Sequence, residues 1–406
     1  MVRSKVALIS MNNLQEHAPA QNALPPGLML LFAFACGATV ANIYYAQPLI
    51  GLISHALGMR EQLAGLIVTL TQLGYGAGLF FIVSLSDLVE NRRLIQVMTS
   101  VLIVGLIGVA ASNSVSMFMG ASFLVGIGAV GTQVLVPFAV HLAPENGRGR
   151  VVGNVMAGLL TGIMLARPIS SALAAYFGWR SVFMVSAVAL LGLLVLLSLR
   201  LPRRVPKGGM HYGQILLTTL KLLATVPALQ RRAFYQGSVS MVFNMFWTAV
   251  PLMLTDRFGL DQRGIALFAL AGAGGALAAP IAGRMADKGH IKLATAVAIL
   301  SLLGALLLSG WLERAGYLVG LCLAAIWLDA AAQINQVTSQ RVIYGLPAEM
   351  RGRLNAAYMT VIFIMAALGS SLAAFLYVTA GWWAMVAVGC GMMLMVLLAF
   401  ATEARR

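Results

Sequence analysis

Arg148-Gly149-Arg150 opens a stretch of two apolar runs, 151–175 and 180–199, that meet at Gly178-Trp179. The same plan returns 203 residues later: Arg351-Gly352-Arg353, then runs 353–378 and 381–402 meeting at Gly381-Trp382. Pro48 and Pro251 stand at that offset too, with Asn42 and Asn244 nearby at 202, and Asp87 and Asp287 match at 200. Matches in one order, all within three residues of half the 406-residue length, mark a duplicated chain.

Each run holds about 20 mostly apolar residues, the length a helix needs to cross a bilayer. Working outward gives twelve such runs. The first half contributes 28–53, 62–85, 94–112, 116–140, 151–175 and 180–199, and the second 233–255, 264–284, 291–310, 315–340, 353–378 and 381–402. They are continuously apolar rather than alternating, which predicts helices and not barrel strands. Composition agrees: 60% of residues are hydrophobic and 10% charged, against roughly 45–50% and about 25% in soluble domains. The mean hydropathy is +0.89. The expected fold is therefore an all-α membrane protein of two pseudo-symmetric six-helix bundles, 28–199 and 233–402. A basic stretch, 200–232, joins them, and tails 1–27 and 403–406 flank them.

Charge sets the orientation. With both termini inside, 21 of the 27 Lys and Arg residues fall on the cytoplasmic side. Arg60, Arg180, Arg257, Arg263 and Arg314 fall outside, and Arg167 lies within a span. This asymmetry predicts an N-in, C-in topology. It also accounts for the net charge of +15 without a nucleic-acid partner. The N-terminal tail lacks the charged, apolar and cleavage regions of a signal peptide, and the three cysteines are scattered through apolar runs.

Two charged residues lie well inside spans, Arg167 and Asp329. An ionisable group at the bilayer centre costs about 3 kcal/mol even on the lenient insertion scale, so each is a functional candidate. At the repeat offset Arg167 faces Ser370 and Asp329 faces Gly126. The charges are asymmetric additions to a symmetric scaffold. Asp329 is the candidate proton carrier, with Arg167 as its partner when ionised. Asp329, Gln333, Gln336 and Gln340 are spaced 4, 3 and 4, which puts them on one helical face. Asn42 with Tyr45, Asn244 with Trp247, and Gln133 complete the candidate solute-binding set, since amides with aromatic rings suit a neutral or amphiphilic solute. The alternative for each is hydrogen bonding between helices.

Enzyme chemistry lacks its materials. The five histidines are scattered among tails and loops, no carboxylate pair shares a span, and no phosphate-binding glycine loop is present. No metal or other cofactor is expected. Parallel repeats with a site between the halves are a plan of secondary transporters.

The loop Val83-Ser84-Leu85-Ser86-Asp87-Leu88-Val89-Glu90-Asn91-Arg92 and its copy Gly283-Arg284-Met285-Ala286-Asp287-Lys288-Gly289 resemble the G-x-L-A-D-R-x-G-R-K loop of the major facilitator superfamily. The resemblance covers nearly the whole chain. It implies that Asp87, Arg92, Gly283, Asp287 and Lys288 belong to gating loops. Asn42-Ile43-Tyr44-Tyr45-Ala46-Gln47-Pro48 and Gly178-Trp179-Arg180 are similar to the drug and sugar exporters of that superfamily, which exchange solute for protons. Two departures stand out. Ser122-Phe123-Leu124-Val125-Gly126 lacks the exporters' fourth-helix Arg, and Arg167 stands where their fifth-helix motif has Gly. The resemblance implies a monomeric, multi-pass exporter of the cell inner membrane, taking a small molecule and protons. Proton-coupled uptake or sugar export on the same scaffold is the alternative.

Overall fold

The computed structural model describes residues 25–143, 147–206, 211–347 and 350–404. Most of the N-terminal tail, part of the basic stretch and the last two residues lie outside these.

In the first half α1 (Pro26–Ala41) runs through a turn and a 3-10 turn (Gln47–Leu49) into α2 (Ile50–Ala56). Then come α3 (Leu66–Phe81), α4 (Asn91–Ala110), α5 (Val115–Ala129), α6 (Gly131–Leu142), α7 (Arg148–Phe177) and α8 (Trp179–Arg200). A separate helix, α9 (Tyr212–Thr225), lies between the halves. The second half holds α10 (Pro227–Phe258), α11 (Gln262–Gly272), α12 (Ala279–Asp287), α13 (Ile291–Ala315), α14 (Leu318–Tyr344) and α15 (Arg351–Ala404). No strand occurs among the described residues.

Ten of these helices or helix runs are long and apolar enough to cross a membrane. Two further details bear on the expected twelve. The 16-residue α1 is apolar but short, and α15 contains a break at Gly381, where φ is 78°. Gly178, between α7 and α8, has φ 79°. Glycine enters this left-handed region without the strain a Cβ brings, so the repeated Gly-Trp marks the same sharp turn in each half. Elsewhere the apolar runs are less regular than expected. The run 116–140 is divided at Val130, and 264–284 is divided by a 3-10 turn at Ala273–Ala278. The stretch 200–232 contains α9, and α10 already begins at Pro227, where proline's missing N–H costs nothing.

The halves pack alike. α1 lies on α7 as α10 lies on α15; α3 lies on α5 as α11 and its following 3-10 turn lie on α14. One apolar core is built mainly from residues 32–233 and a second from 235–400. Small residues bring the backbones together. A Cβ on Gly158 or Gly162 would strike the backbone of Ala33 or Gly37. Large apolar side chains such as Leu199, Leu277 and Leu398 stay exposed on the outer surface, where lipid rather than protein covers them. The halves meet where α3 packs on α15 and α7 packs on α11.

Candidate functional site

Between the halves lies a cavity of about 1050 Å³. Asp87, His141, Arg148, Arg204 and Arg353 rim it, so it opens toward the side rich in Lys and Arg. The opposite side is shut. There Ser171 Oγ donates to the carbonyl of Gln262 at 2.9 Å and to its Oε1 at 2.7 Å. Thr69 Oγ1 donates to the carbonyl of Ala367 at 3.2 Å, and Gly65 abuts the backbone of Ser370.

Arg167 and Asp329 both line the cavity near its closed end, 5% and 8% exposed. They do not touch as an ion pair. Trp247 joins them instead. Its indole N–H donates to Asp329 Oδ1 at 2.7 Å, while the Arg167 guanidinium sits 4.7 Å from the centre of its ring. Tyr44 and Phe243 add rings at 5.1 and 5.2 Å. A desolvated cation over an aromatic face gains up to about 2 kcal/mol, so three rings partly replace the water that Arg167 has lost. Arg167 Nε donates to Gln47 Oε1 at 2.8 Å, and its buried Nη2 has no protein partner.

From Gln47 a chain of amides crosses between the halves. Gln47 Nε2 donates to Asn244 Oδ1 at 2.9 Å, and Gln72 Nε2 donates to the same oxygen at 2.6 Å. Ser370 Oγ donates to Gln72 Oε1 at 2.9 Å, and Thr248 Oγ1 to Ser370 Oγ at 3.2 Å. All of these side chains are buried, and buried polar groups are stabilised only when partnered.

The helical face on α14 is as expected: Gln333, Gln336 and Gln340 line the cavity in file with Asp329. Gln133 lines it too and donates to Tyr75 Oη at 3.0 Å. Asn244 reaches the cavity wall. Three expected contacts are placed differently. Asn42 is turned away, donating to the carbonyl of Ala38 at 2.7 Å and accepting from Ser186 Oγ at 2.7 Å. Tyr45 lies beside Ser186. Trp247 lies under the cavity, against a small apolar pocket with Pro48, Val250 and Phe268. The physical reason for the first two is that α1 ends at Ala41. Residues 42–46 form turns, so a spacing of three no longer means one face. Tyr44 and Gln47 point inward in their place. Tyr44, Gln47, Gln72, Phe243 and Ser370 were not among the expected residues. Of these, Gln72 is an amide within an apolar run, as Gln133 is, and that is the signal by which the sequence could have shown it.

At the open side the gating-loop residues divide. Asp87 sits on the rim under the charges of Arg204 and Arg353. Arg92 donates to the carbonyl of Ser198, tying its loop to α8. Asp287 pairs with Arg341 at 3.1 Å, a bridge exposed on both sides. Lys288 is exposed, and a Cβ at Gly283 would meet nothing.

Two packed helical halves around one large cavity, open to a single face and with opposite charges at its closed end, define a membrane transporter. The chain matches the family model of the Major Facilitator Superfamily over residues 29–370 and 233–406, and it belongs to that family. It is 38% identical over 360 residues to the uncharacterized transporter YgaY of Escherichia coli O157:H7, covering 88% of this chain and 91% of that one. It is 22% identical over 403 residues to the purine ribonucleoside efflux pump NepI of Salmonella choleraesuis, covering 97% and 98%. Among solved structures it resembles a bacterial homolog of the human lysosomal transporter Spinster, inward-facing and occupied. There the TM-score is 0.74 at 14% identity, over 95% of this chain and 98% of that one. The family moves solutes; it is not a family of enzymes.

Proposed function

We propose that this transporter is a proton-coupled exporter of the cell inner membrane, with twelve crossings and both termini inside. It exchanges a small organic or amphiphilic solute for protons, as a monomer, by rocking its halves about the cavity. The observation that carries the reading is the closed end of that cavity, where one acid, Asp329, and one cation, Arg167, share Trp247. A carboxylate inside the membrane is expensive, and adding a proton removes its charge. That change alters its hold on Trp247 and its attraction for Arg167, so the proton biases which face opens. Solute is read by Gln333, Gln336 and Gln340 along α14, by Gln133 and Asn244, and by the rings of Tyr44 and Phe243. The loops of Asp87 and Arg92, and of Gly283, Asp287 and Lys288, close the basic side when the other side opens. The efflux activity printed for NepI supports the export direction.

The test is reconstitution into liposomes holding a pH-sensitive dye, with a proton gradient imposed and solutes screened. Saturable, solute-dependent proton flux with counterflow is the expected result. Solute transport with no proton movement would overturn the coupling, and flux without saturation or counterflow would indicate a pore.

A further inference from the structure

The geometry points to Trp247 as a positioning residue that ties the proton site to an inter-half latch, rather than a residue that binds solute. The inference rests on the proton-coupling role of Asp329 proposed above. Trp247 is 2% exposed. It uses its two faculties on two different partners: its N–H on Asp329 and its ring on Arg167. Arg167 then holds Gln47, which holds Asn244. Gln47 and Arg167 come from the first half, while Asn244, Trp247 and Asp329 come from the second. The halves cannot separate on the shut side unless the Gln47–Asn244 and Gln72–Asn244 bonds break and Arg167 leaves the rings of Phe243 and Trp247.

The charged and titratable groups around Asp329 are few. Arg167 comes from α7, and Tyr44, which follows α1, faces Arg167. On the α11–α12 segment the backbone of Gly275 abuts Asp329. An ionised Asp329 therefore fixes Trp247 through a charge-assisted hydrogen bond and draws Arg167 toward it. Both actions keep Arg167 seated on Trp247 and Gln47 seated on Asn244. Protonation weakens both and the latch can open; in the exchange proposed above, bound solute releases it in the proton's place, and the empty carrier with Asp329 ionised stays shut.

Trp247→Phe separates these roles. It keeps a ring under Arg167 and removes the donor to Asp329. Two assays are run on the full-length protein in liposomes: solute counterflow at equal pH, and solute movement driven by an imposed proton gradient. With the latch as described, the gradient-driven rate falls at least about 10-fold, the worth of one hydrogen bond to a charged group. Counterflow falls no more than about 3-fold, as expected for a small change in a buried ring. Equal loss in both assays, in folded protein, would make Trp247 a packing or solute-binding residue and overturn the inference. So would unchanged gradient-driven transport. Gln47→Leu serves as a second variant, expected to show the same split because it breaks the latch without touching Asp329. Asp329→Asn tests the underlying reading separately: gradient-driven transport surviving in that variant removes the proton role, whatever Trp247→Phe does.

Discussion

The two halves share a backbone plan and divide its chemistry unequally. Gly126 on α5 and Asp329 on α14 stand at the repeat offset, and both sit where their helix crosses a neighbour. Gly126 abuts the backbone of Thr71 and Tyr75, whereas Asp329 abuts Gly275. In the first half the small residue is on α5 and a polar one, Gln72, is on α3. In the second the small residue is on the α11 side and the polar one on α14. Where α1 meets α7 small residues line both helices, Gly158 and Gly162 on α7 against Ala33 and Gly37, whereas in the second half Gly237 on α10 faces the side chains of Val361 and Met365 and Gly369 on α15 abuts the backbone of Met241. Close approach of two helices needs one small residue and does not specify which helix carries it. The α3–α5 crossing recurs between the α11 segment and α14, and in each of the two one position is left to a polar residue, Gln72 or Asp329.

The strongest way to break this comparison is to make the halves alike. Arg167→Ser, which gives the first half the residue that stands at 370, leaves Asp329 buried without its cation. Proton-driven transport is expected to fall by about 100-fold or more, since a buried carboxylate left without a compensating cation costs roughly 3–5 kcal/mol. A rate within a few-fold of the parent in the liposome assay would refute the asymmetry.

Packing gives the next effect. Gly158→Leu forces a side chain into the backbone of Ala33 and is expected to destabilise by about 1–3 kcal/mol, read as a lower melting temperature in detergent. Val361→Leu, at the matching position in the second half, faces Gly237, which has no side chain, and should cost less than about 1.5 kcal/mol. Equal losses would deny that the α10–α15 crossing has room at 361 that the α1–α7 crossing lacks at 158.

Asn42 and Asn244 sharpen the picture further, since they are near-twins with different partners. Asn244→Ala removes the acceptor for Gln47 and Gln72 and should slow gradient-driven transport about 10-fold. Asn42→Ala breaks the bond with Ser186 of α8 and the local bonds to the carbonyls of Ala38 and Thr39, none of which crosses between the halves, so it should cost about 1 kcal/mol of stability with little effect on rate. The smallest effect belongs to the basic side. Arg341→Gln breaks an ion pair exposed on both partners, worth roughly 0.2–1 kcal/mol, and the melting temperature should barely move.

Much of this was legible in the chain. Long apolar runs, the repeat and the two intramembrane charges follow from composition and spacing, because lipid imposes its constraints on every helix alike. The α14 face followed because α14 is one continuous helix, so spacing translates directly into direction. The first span did not yield in the same way. Its helix stops at Ala41, ahead of the 3-10 turn that holds Pro48, and the inward side chains are Tyr44 and Gln47. Nor could spacing reveal that Trp247 stands under Arg167. That contact joins residues on two helices from different halves, and periodicity along one helix carries no information about which side chains meet across such an interface.

The most direct measurement of the central claim is proton movement itself. Parent and Asp329→Asn proteins are reconstituted at equal density, a transported solute is added outside, and internal pH is followed with no other driving force. Solute-dependent pH change in the parent and none in the variant, with counterflow retained in both, is the expected result. The same solute-dependent pH change in Asp329→Asn would contradict it, and the proton would have to travel elsewhere.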